Sequence, residues 1–183
     1  VFFENSKRDI SINTCSEILN EIDDKINTVA VTVNPTNDDL ERYSGMKFTH
    51  LQLHGSESLD EVMEISKTFD FKIIKSFNIS TESDFTNIEN YSPFIDYILL
   101  DSKHKRNMPG GTGKTFNWEL IRNFAPSKPF FLSGGLNIDN VSDAIKLQKT
   151  KYFDVSSGVE NSEGIKDEKL ISEFILKANR TAQ

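Results

Sequence analysis

With 183 residues, of which 37% are hydrophobic and 27% charged, the chain has the size and apolar content of one ordinary globular domain. Its formal net charge of −7 disfavours a general binder of nucleic acid or anionic membranes, and its longest purely apolar runs fall far short of the roughly 20 residues that span a bilayer. The single cysteine, Cys15, permits no internal disulfide, so we expect a reducing, cytoplasmic location.

Taken in chain order, strand-like and helix-like segments alternate from one end to the other. The predicted strands are 1–3, 29–33, 48–53, 71–75, 97–101 and two short apolar runs around Phe131 and Phe153. The predicted helices are 15–22, one capped by Asn37, one from Leu59 with a Ser58–Glu61 capping box, one opened by Thr81 and Asp84, one at 118–124, one from Ile138 and one behind Asp167. Cys15 falls on the apolar face of the first helix, which indicates a packing role.

This alternation predicts βα units joined into a parallel sheet. A doubly wound open sheet is the alternative, because alternation alone does not distinguish it from a barrel. Polar residues at the carboxyl ends of the strands favour an α/β fold of the (β/α)8 TIM-barrel type, whose chemistry gathers at that rim. These polar residues are Arg8, His54, Asp101, Ser133 and Asp154.

Seven βα units are one short of a closed barrel. We therefore expect residues 1–183 to be a single barrel domain that is incomplete at its N-terminus, with a first βα unit absent from the sequence. The alternative is an open barrel whose exposed strand edges favour association.

Two glycine-bearing turns near the end of the chain, 131–137 and 153–158, each follow a short apolar run. One Gly-Gly pair often serves only to turn the chain. Two consecutive strand-to-helix junctions that carry Gly and Ser match the phosphate site that (β/α)8 barrels build after their last two strands. We expect Asn137 to cap a helix whose free N–H groups favour an anion.

Other polar residues leave two interpretations open. Asp101 follows three apolar residues, so it is either a partly desolvated general acid or a plain loop cap. The loop 108–115 resembles a nucleotide-binding P-loop but has Met108 where that motif needs glycine, and we interpret it as a flexible loop that covers the substrate.

The three histidines do not form a metal site. His50 and His54 fall in an alternating strand, where they would lie about 13 Å apart. We expect His54 at the rim to contact substrate, His50 to be structural and His104 to be a loop residue. Arg8 is either a fork for a carboxylate or a solvated surface side chain.

Seven segments together resemble the phosphoribosylanthranilate isomerase family of tryptophan biosynthesis. They are 5–11, 31–35, 52–55, 99–102, 110–116, 133–137 and 154–160. The resemblance spans essentially the whole chain. Its most specific parts are Gly110-Gly111-Thr112-Gly113-Lys114-Thr115-Phe116 and Asp154-Val155-Ser156-Ser157-Gly158-Val159-Glu160.

The resemblance implies a cofactor-free Amadori rearrangement of N-(5-phosphoribosyl)anthranilate. It implies that Asp101 is the general acid that opens the ribose ring and that Arg8 clamps the anthranilate carboxylate. His54 and Asp154 match polar residues near the sugar. The phosphate cup would consist of Gly134, Gly135, Asn137, Ser156, Ser157 and Gly158. The implied partner is the small-molecule substrate alone, with the protein a monomer or weak homodimer and with no metal, nucleic acid or membrane.

The sequence departs from the family in one respect. The family's general base is a cysteine at the end of the first strand, and no residue of this sequence matches that cysteine. Cys15 is no substitute, and we expect negligible isomerase activity from a chain of these 183 residues alone. Two rival hypotheses remain. The chain could be another phosphate-binding barrel enzyme of indoleglycerol phosphate metabolism, or a non-catalytic fragment of a bifunctional or split barrel.

Overall fold

The computed structural model describes residues 1–102 and 115–181 as an α/β fold in which parallel strands alternate with helices. The strands of the sheet are β1 Val29–Thr32, β2 His50–Leu53, β3 Lys72–Ile79, β4 Tyr97–Ser102, β5 Phe130–Leu132 and β6 Tyr152–Phe153. A separate hairpin has β7 Glu160–Ser162 and β8 Ile165–Lys166. The α-helices are α1 Ile12–Glu21, α2 Asn37–Ser44, α3 Leu59–Thr68, α4 Ile88–Tyr91, α5 Val141–Lys146 and α6 Glu168–Thr181.

The chain divides into two compact units. The first comprises Val1–Ser76 and Asn90–Tyr97, and the second comprises Phe77–Glu89 and Ile98–Gln183. None of the helices in the described part of the chain is long and apolar enough to cross a membrane.

In the first unit, β1, β2 and β3 pair in parallel in chain order. Phe2 forms an isolated parallel bridge to Thr32, and the structure shows no strand over residues 1–3 beyond this one bridge. The apolar face of β2 supplies Leu51 and Leu53, both fully buried. Burying such side chains removes apolar area from water, which is the main stabilisation of this layer.

The helices of the first unit begin where side chains satisfy their first N–H groups. The prediction that Asn37 caps α2 is wrong, because Thr36 accepts from the Asp39 N–H and the Asp39 carboxylate bonds back to Thr36. The predicted capping box of Ser58 with Glu61 is confirmed at α3. Cys15 is buried on α1, where burial raises the pKa of its thiol.

In the second unit, β4, β5 and β6 also pair in parallel in chain order. Its connections are less helical than the sequence predicts. Trp118–Ile121 is a short 3-10 helix, and so is Glu82–Phe85, which precedes α4. The predicted helix behind Asp167 is confirmed as α6.

Candidate functional site

The carboxyl ends of β4 and β5 meet at Asp101 and Gly134. Asp101 is only 4% exposed, and its Oδ1 accepts the N–H of Ser102 at 2.7 Å. Gly134 has a φ of +81°, and a Cβ added there would lie 2.8 Å from Asp101 Oδ1 and 2.6 Å from the Ser102 nitrogen. Both the backbone conformation and the space therefore require glycine, and the β5 turn is pressed against a buried carboxyl group.

A second carboxylate lies at the end of β6. Ser133 donates its hydroxyl to Asp154 Oδ2 at 2.7 Å, and the Asp154 N–H donates to the Leu132 carbonyl. Ser133 is buried, and its hydroxyl bond restricts the orientation of the Asp154 carboxyl group. The ends of β4, β5 and β6 thus bring Asp101, Ser133 and Asp154 to one edge of the second unit.

The two glycine-bearing turns touch each other through their backbones. A Cβ added to Gly158 would lie 1.9 Å from the Leu136 carbonyl oxygen and 2.9 Å from the Asn137 Cα. Real side chains do not approach backbone atoms so closely, so only glycine permits this contact. The structure therefore places the turns 131–137 and 153–158 side by side.

Asn137 organises its turn differently from the sequence prediction. The predicted helix from Ile138 is wrong, because α5 begins at Val141 behind the N-cap residue Asn140. The Asn137 Oδ1 accepts the N–H groups of Asp139 and Asn140, while Asn140 Oδ1 accepts the Asn137 N–H. These short-range bonds replace the first turn of helix, as is typical of Asn side chains that compete with helical bonding.

The second turn is held from outside by the hairpin, which the sequence did not reveal. Ser157–Val159 forms a 3-10 helix immediately before β7. Lys166 on β8 donates to the Ser156 carbonyl at 2.9 Å and pairs with Glu160 at 2.8 Å. A Gly at 164 with φ +85° closes the hairpin, and the sequence Glu163-Gly164 was the available signal for it.

In the first unit, His54 follows the end of β2 as predicted, whereas Arg8 lies in a turn after the isolated bridge of Phe2 and not after a strand. Arg8 is half-buried in a compact turn in which the Ser6 hydroxyl accepts its N–H. His54 follows β2, and its backbone N–H donates to the Thr32 carbonyl. The ring of His54 is half-buried, and its Nδ1 lies 2.9 Å from the Gln52 Nε2.

A buried ion pair that sequence reasoning missed lies just beyond His54. Lys75 Nζ is 2.9 Å from Glu57 Oε2, and the two side chains are 4% and 3% exposed. Glu57 Oε1 also accepts the N–H groups of Asn34 and Gly55, and Lys75 donates to the Gly55 carbonyl. The pair thus joins the loops after β1 and β2 to the middle of β3. A lysine at the end of a predicted strand was the only signal for it.

His50 is buried within β2, as expected of a structural residue. Its Nδ1 lies 2.7 Å from the Thr49 hydroxyl, and its ring packs against Tyr97. Burial, together with nearby Lys72, lowers the pKa of His50. Across residues 1–102 and 115–181 no group of ligating side chains has the arrangement of a metal site. His104 and the predicted substrate-covering loop fall on residues 103–114, outside the described ranges.

Comparisons with known proteins relate this chain to one enzyme family. Residues 1–177 match the family model described as N-(5'-phosphoribosyl)anthranilate (PRA) isomerase. A relative from Zymomonas mobilis subsp. mobilis, named N-(5'-phosphoribosyl)anthranilate isomerase, is 35% identical over 96% of this chain and 83% of its own. The phosphoribosylanthranilate isomerase structure from Thermotoga maritima superposes with a TM-score of 0.85 at 37% identity, over 96% of this chain and 83% of its own.

A further solved structure shows a phosphoribosylanthranilate isomerase in complex with reduced 1-(o-carboxyphenylamino)-1-deoxyribulose 5-phosphate. Its sequence is 34% identical to that of this chain. The superposition covers 96% of this chain and 82% of the other chain, with a TM-score of 0.79.

Proposed function

Because the chain belongs to the N-(5'-phosphoribosyl)anthranilate isomerase family, we propose which of its residues carry out the family's reaction. The function itself is isomerisation of phosphoribosylanthranilate in tryptophan biosynthesis. The reaction is an internal redox rearrangement by proton transfer. An acid protonates the ribose ring oxygen, the ring opens to a Schiff base, and a base removes the C2′ proton.

Asp101 is the proposed general acid. The observation that carries this assignment is the burial of its carboxyl group at the end of β4, with Gly134 packed directly against Oδ1. The carboxyl group is held in a fixed orientation because its Oδ1 accepts the Ser102 N–H, and it lies at the end of a strand, where folds of this kind gather their catalytic groups. Asp101 is therefore suited to deliver a proton to a sugar oxygen.

The touching glycine turns are the proposed phosphate site. Gly134, Gly135 and Asn137 come from the first turn and Ser156, Ser157 and Gly158 from the second. Glycines allow backbone N–H groups to approach an anion closely, and serine hydroxyls add further donors. The support for this proposal is the backbone contact of Gly158 with Leu136, which makes one continuous surface of the two turns.

Three further residues are proposed to bind the rest of the substrate. Arg8 would hold the anthranilate carboxylate, for which a guanidinium fork is well suited. His54 and Asp154 would bind the sugar hydroxyls. Asp154 is already oriented by the Ser133 hydroxyl.

For the fold, we propose that residues 1–183 form a single domain of the (β/α)8-barrel type. Its support is the similarity of nearly the whole chain to solved isomerases. We also propose a cytoplasmic enzyme without cofactors, monomeric or weakly dimeric, whose partner is its small-molecule substrate. Cys15 is buried on α1 and is assigned to packing.

The test of the acid is the substitution Asp101→Asn in the whole protein as the cell makes it. General acids typically contribute about 10²–10⁴-fold, so kcat is expected to fall by that factor. Affinity for the reduced product analogue, measured by calorimetry, should change little because the amide keeps the shape of the carboxyl group.

The matched control is Asp143→Asn, which changes an exposed carboxylate on α5. It should leave both kcat and affinity unchanged. If Asp101→Asn retains turnover within a few-fold of the parent, Asp101 is not the acid. If the parent binds indoleglycerol phosphate and not the reduced product analogue, the substrate assignment is wrong.

A further inference from the structure

The amide of Gln52 and the ring of His54 face each other along one side of β2. Residues two apart in a strand point to the same face, and here the Gln52 Nε2 lies 2.9 Å from His54 Nδ1. In the parallel register, Gln52 stands between Val31 on β1 and Ile74 on β3. Both strand neighbours are apolar, so neither offers a hydrogen-bond partner to the amide through its side chain.

This contact relates the position of the imidazole proton to the amide atom that faces the ring, which in the structure is the nitrogen. An amide nitrogen only donates, so a ring nitrogen that faces it must accept. A neutral imidazole has one donor and one acceptor nitrogen, and with Nδ1 accepting, the proton resides on Nε2. Gln52 is 8% exposed, so water does not compete freely for the contact.

We propose that Gln52 is a positioning residue that holds His54 in the neutral Nε2–H tautomer and thereby presents a hydrogen-bond donor to the sugar portion of the substrate. This inference rests on the proposed substrate-binding role of His54. It goes further in assigning a direction to the bond: His54 donates to a substrate oxygen, and it does not remove the C2′ proton. Proton abstraction would need an unprotonated outer nitrogen, which the Gln52 contact disfavours.

The assignment is tested first without any activity measurement. Long-range proton–nitrogen NMR spectra, recorded above the pH at which histidines titrate, distinguish protonated from unprotonated ring nitrogens. We expect His54 to show an unprotonated Nδ1 and a protonated Nε2, with its signals identified by their loss in His54→Gln. A protonated Nδ1 in the parent overturns the proposal, whatever reaction the enzyme catalyses.

Two substitutions then change the partner at position 52. Gln52→Glu replaces the donor by a carboxylate, which requires a proton on Nδ1 and should produce the Nδ1–H tautomer or the imidazolium. Gln52→Met removes the donor at similar volume and should produce a mixture of the two tautomers. The signals of His50, whose Nδ1 contacts Thr49, serve as the internal control and should not move in either variant.

The functional readout is kcat/KM together with affinity for the reduced product analogue. Losing a partner that orients a site residue typically costs about 10–100-fold, and we expect kcat/KM to fall by this factor in Gln52→Glu. The affinity should fall with it, because the lost donor contacts the bound sugar. A purely structural role predicts that Gln52→Met lowers thermal stability while the His54 tautomer stays unchanged, and that result overturns the proposal.

The design separates this inference from the proposed function. If Asp101→Asn abolishes turnover while the His54 tautomer is as expected and insensitive to position 52, the isomerase mechanism stands and Gln52 is not its positioning residue. If the tautomer follows position 52 but the analogue does not bind to the parent, the substrate assignment fails, and with it the role given to the His54 donor.

Discussion

Replacing Gly158 by alanine tests the contact between the two turns most directly. The added Cβ would lie 1.9 Å from the Leu136 carbonyl oxygen, whereas non-bonded heavy atoms settle about 3.5 Å apart. The turns must therefore separate by about 1.5 Å. Gly158 does not have a positive φ, so the expected effect comes from this backbone overlap and not from conformational strain.

The size of the effect follows from the displacement. A misplacement of about 1 Å can cost on the order of 100-fold in rate or binding, equivalent to about 2.7 kcal/mol. Overpacking also costs about 1–3 kcal/mol of stability. We therefore expect Gly158→Ala to bind the reduced product analogue at least about 100-fold more weakly by calorimetry, while the melting temperature falls by several degrees.

Gly45→Ala is the matched control. A Cβ at Gly45 would lie 3.5 Å from the nearest atom, the Arg42 carbonyl oxygen, with a φ of −77° that any residue adopts. It should leave binding unchanged and preserve or slightly raise stability. If Gly158→Ala binds the analogue within threefold of the parent, the two turns do not form one phosphate site.

Three further predictions concern stability. Lys75→Met leaves the buried Glu57 carboxylate without its cation and should lower the free energy of unfolding by about 3–5 kcal/mol in urea titrations. The control Lys146→Met breaks an exposed pair and should lower it by less than about 1 kcal/mol. Equal losses of stability in the two variants would show that the buried pair is not structural. Because burial lowers the pKa of His50 below its ordinary 6.5, the unfolded chain takes up a proton more readily, and stability should fall as the pH drops through that value. His50→Gln should flatten the dependence of the melting temperature between pH 7 and 5, and an unchanged slope would contradict this. Burial, reinforced by Asp39, raises the pKa of Tyr43 to about 12, so stability should fall above about pH 10, and Tyr43→Phe should remove the last tyrosine step in an alkaline absorbance titration.

The order of elements was accessible from sequence because each strand is a short apolar run and each helix has a regular apolar face. The predicted helix starts were wrong where several side chains compete to accept the first backbone N–H groups of a helix. Thr36, and not Asn37, caps α2, because the Thr36 hydroxyl accepts the Asp39 N–H while the Asp39 carboxylate accepts the Thr36 N–H. At α5 the N-cap residue Asn140 makes no side-chain cap bond, and the Asn137 side chain instead accepts the N–H groups of Asp139 and Asn140 in the turn before the helix.

The residues proposed for the site come from the sequence, whereas the contacts that support them come only from the structure. Polar residues at strand ends led to the proposals for Asp101, His54 and Asp154, because barrel enzymes gather their chemistry at the carboxyl ends of strands. The partners of His54 and Asp154 lie elsewhere: Gln52 is two residues back along the chain, and Ser133 follows a neighbouring strand. The bond from Ser133 to Asp154 and the pair of Lys75 with Glu57 depend on three-dimensional register, which a one-dimensional pattern does not encode.

The hairpin of β7 and β8 makes the shape of the turn 153–158 depend on α6, the helix that follows the hairpin. The N–H of Asp167, which opens α6, donates to the Val159 carbonyl at the end of the 3-10 helix, and α6 packs against that helix. Lys166, one residue earlier, holds the Ser156 carbonyl. A transplant of this turn into another scaffold must therefore carry the hairpin and the first turns of α6 with it, because the short segment 153–158 alone lacks the contacts that determine its shape.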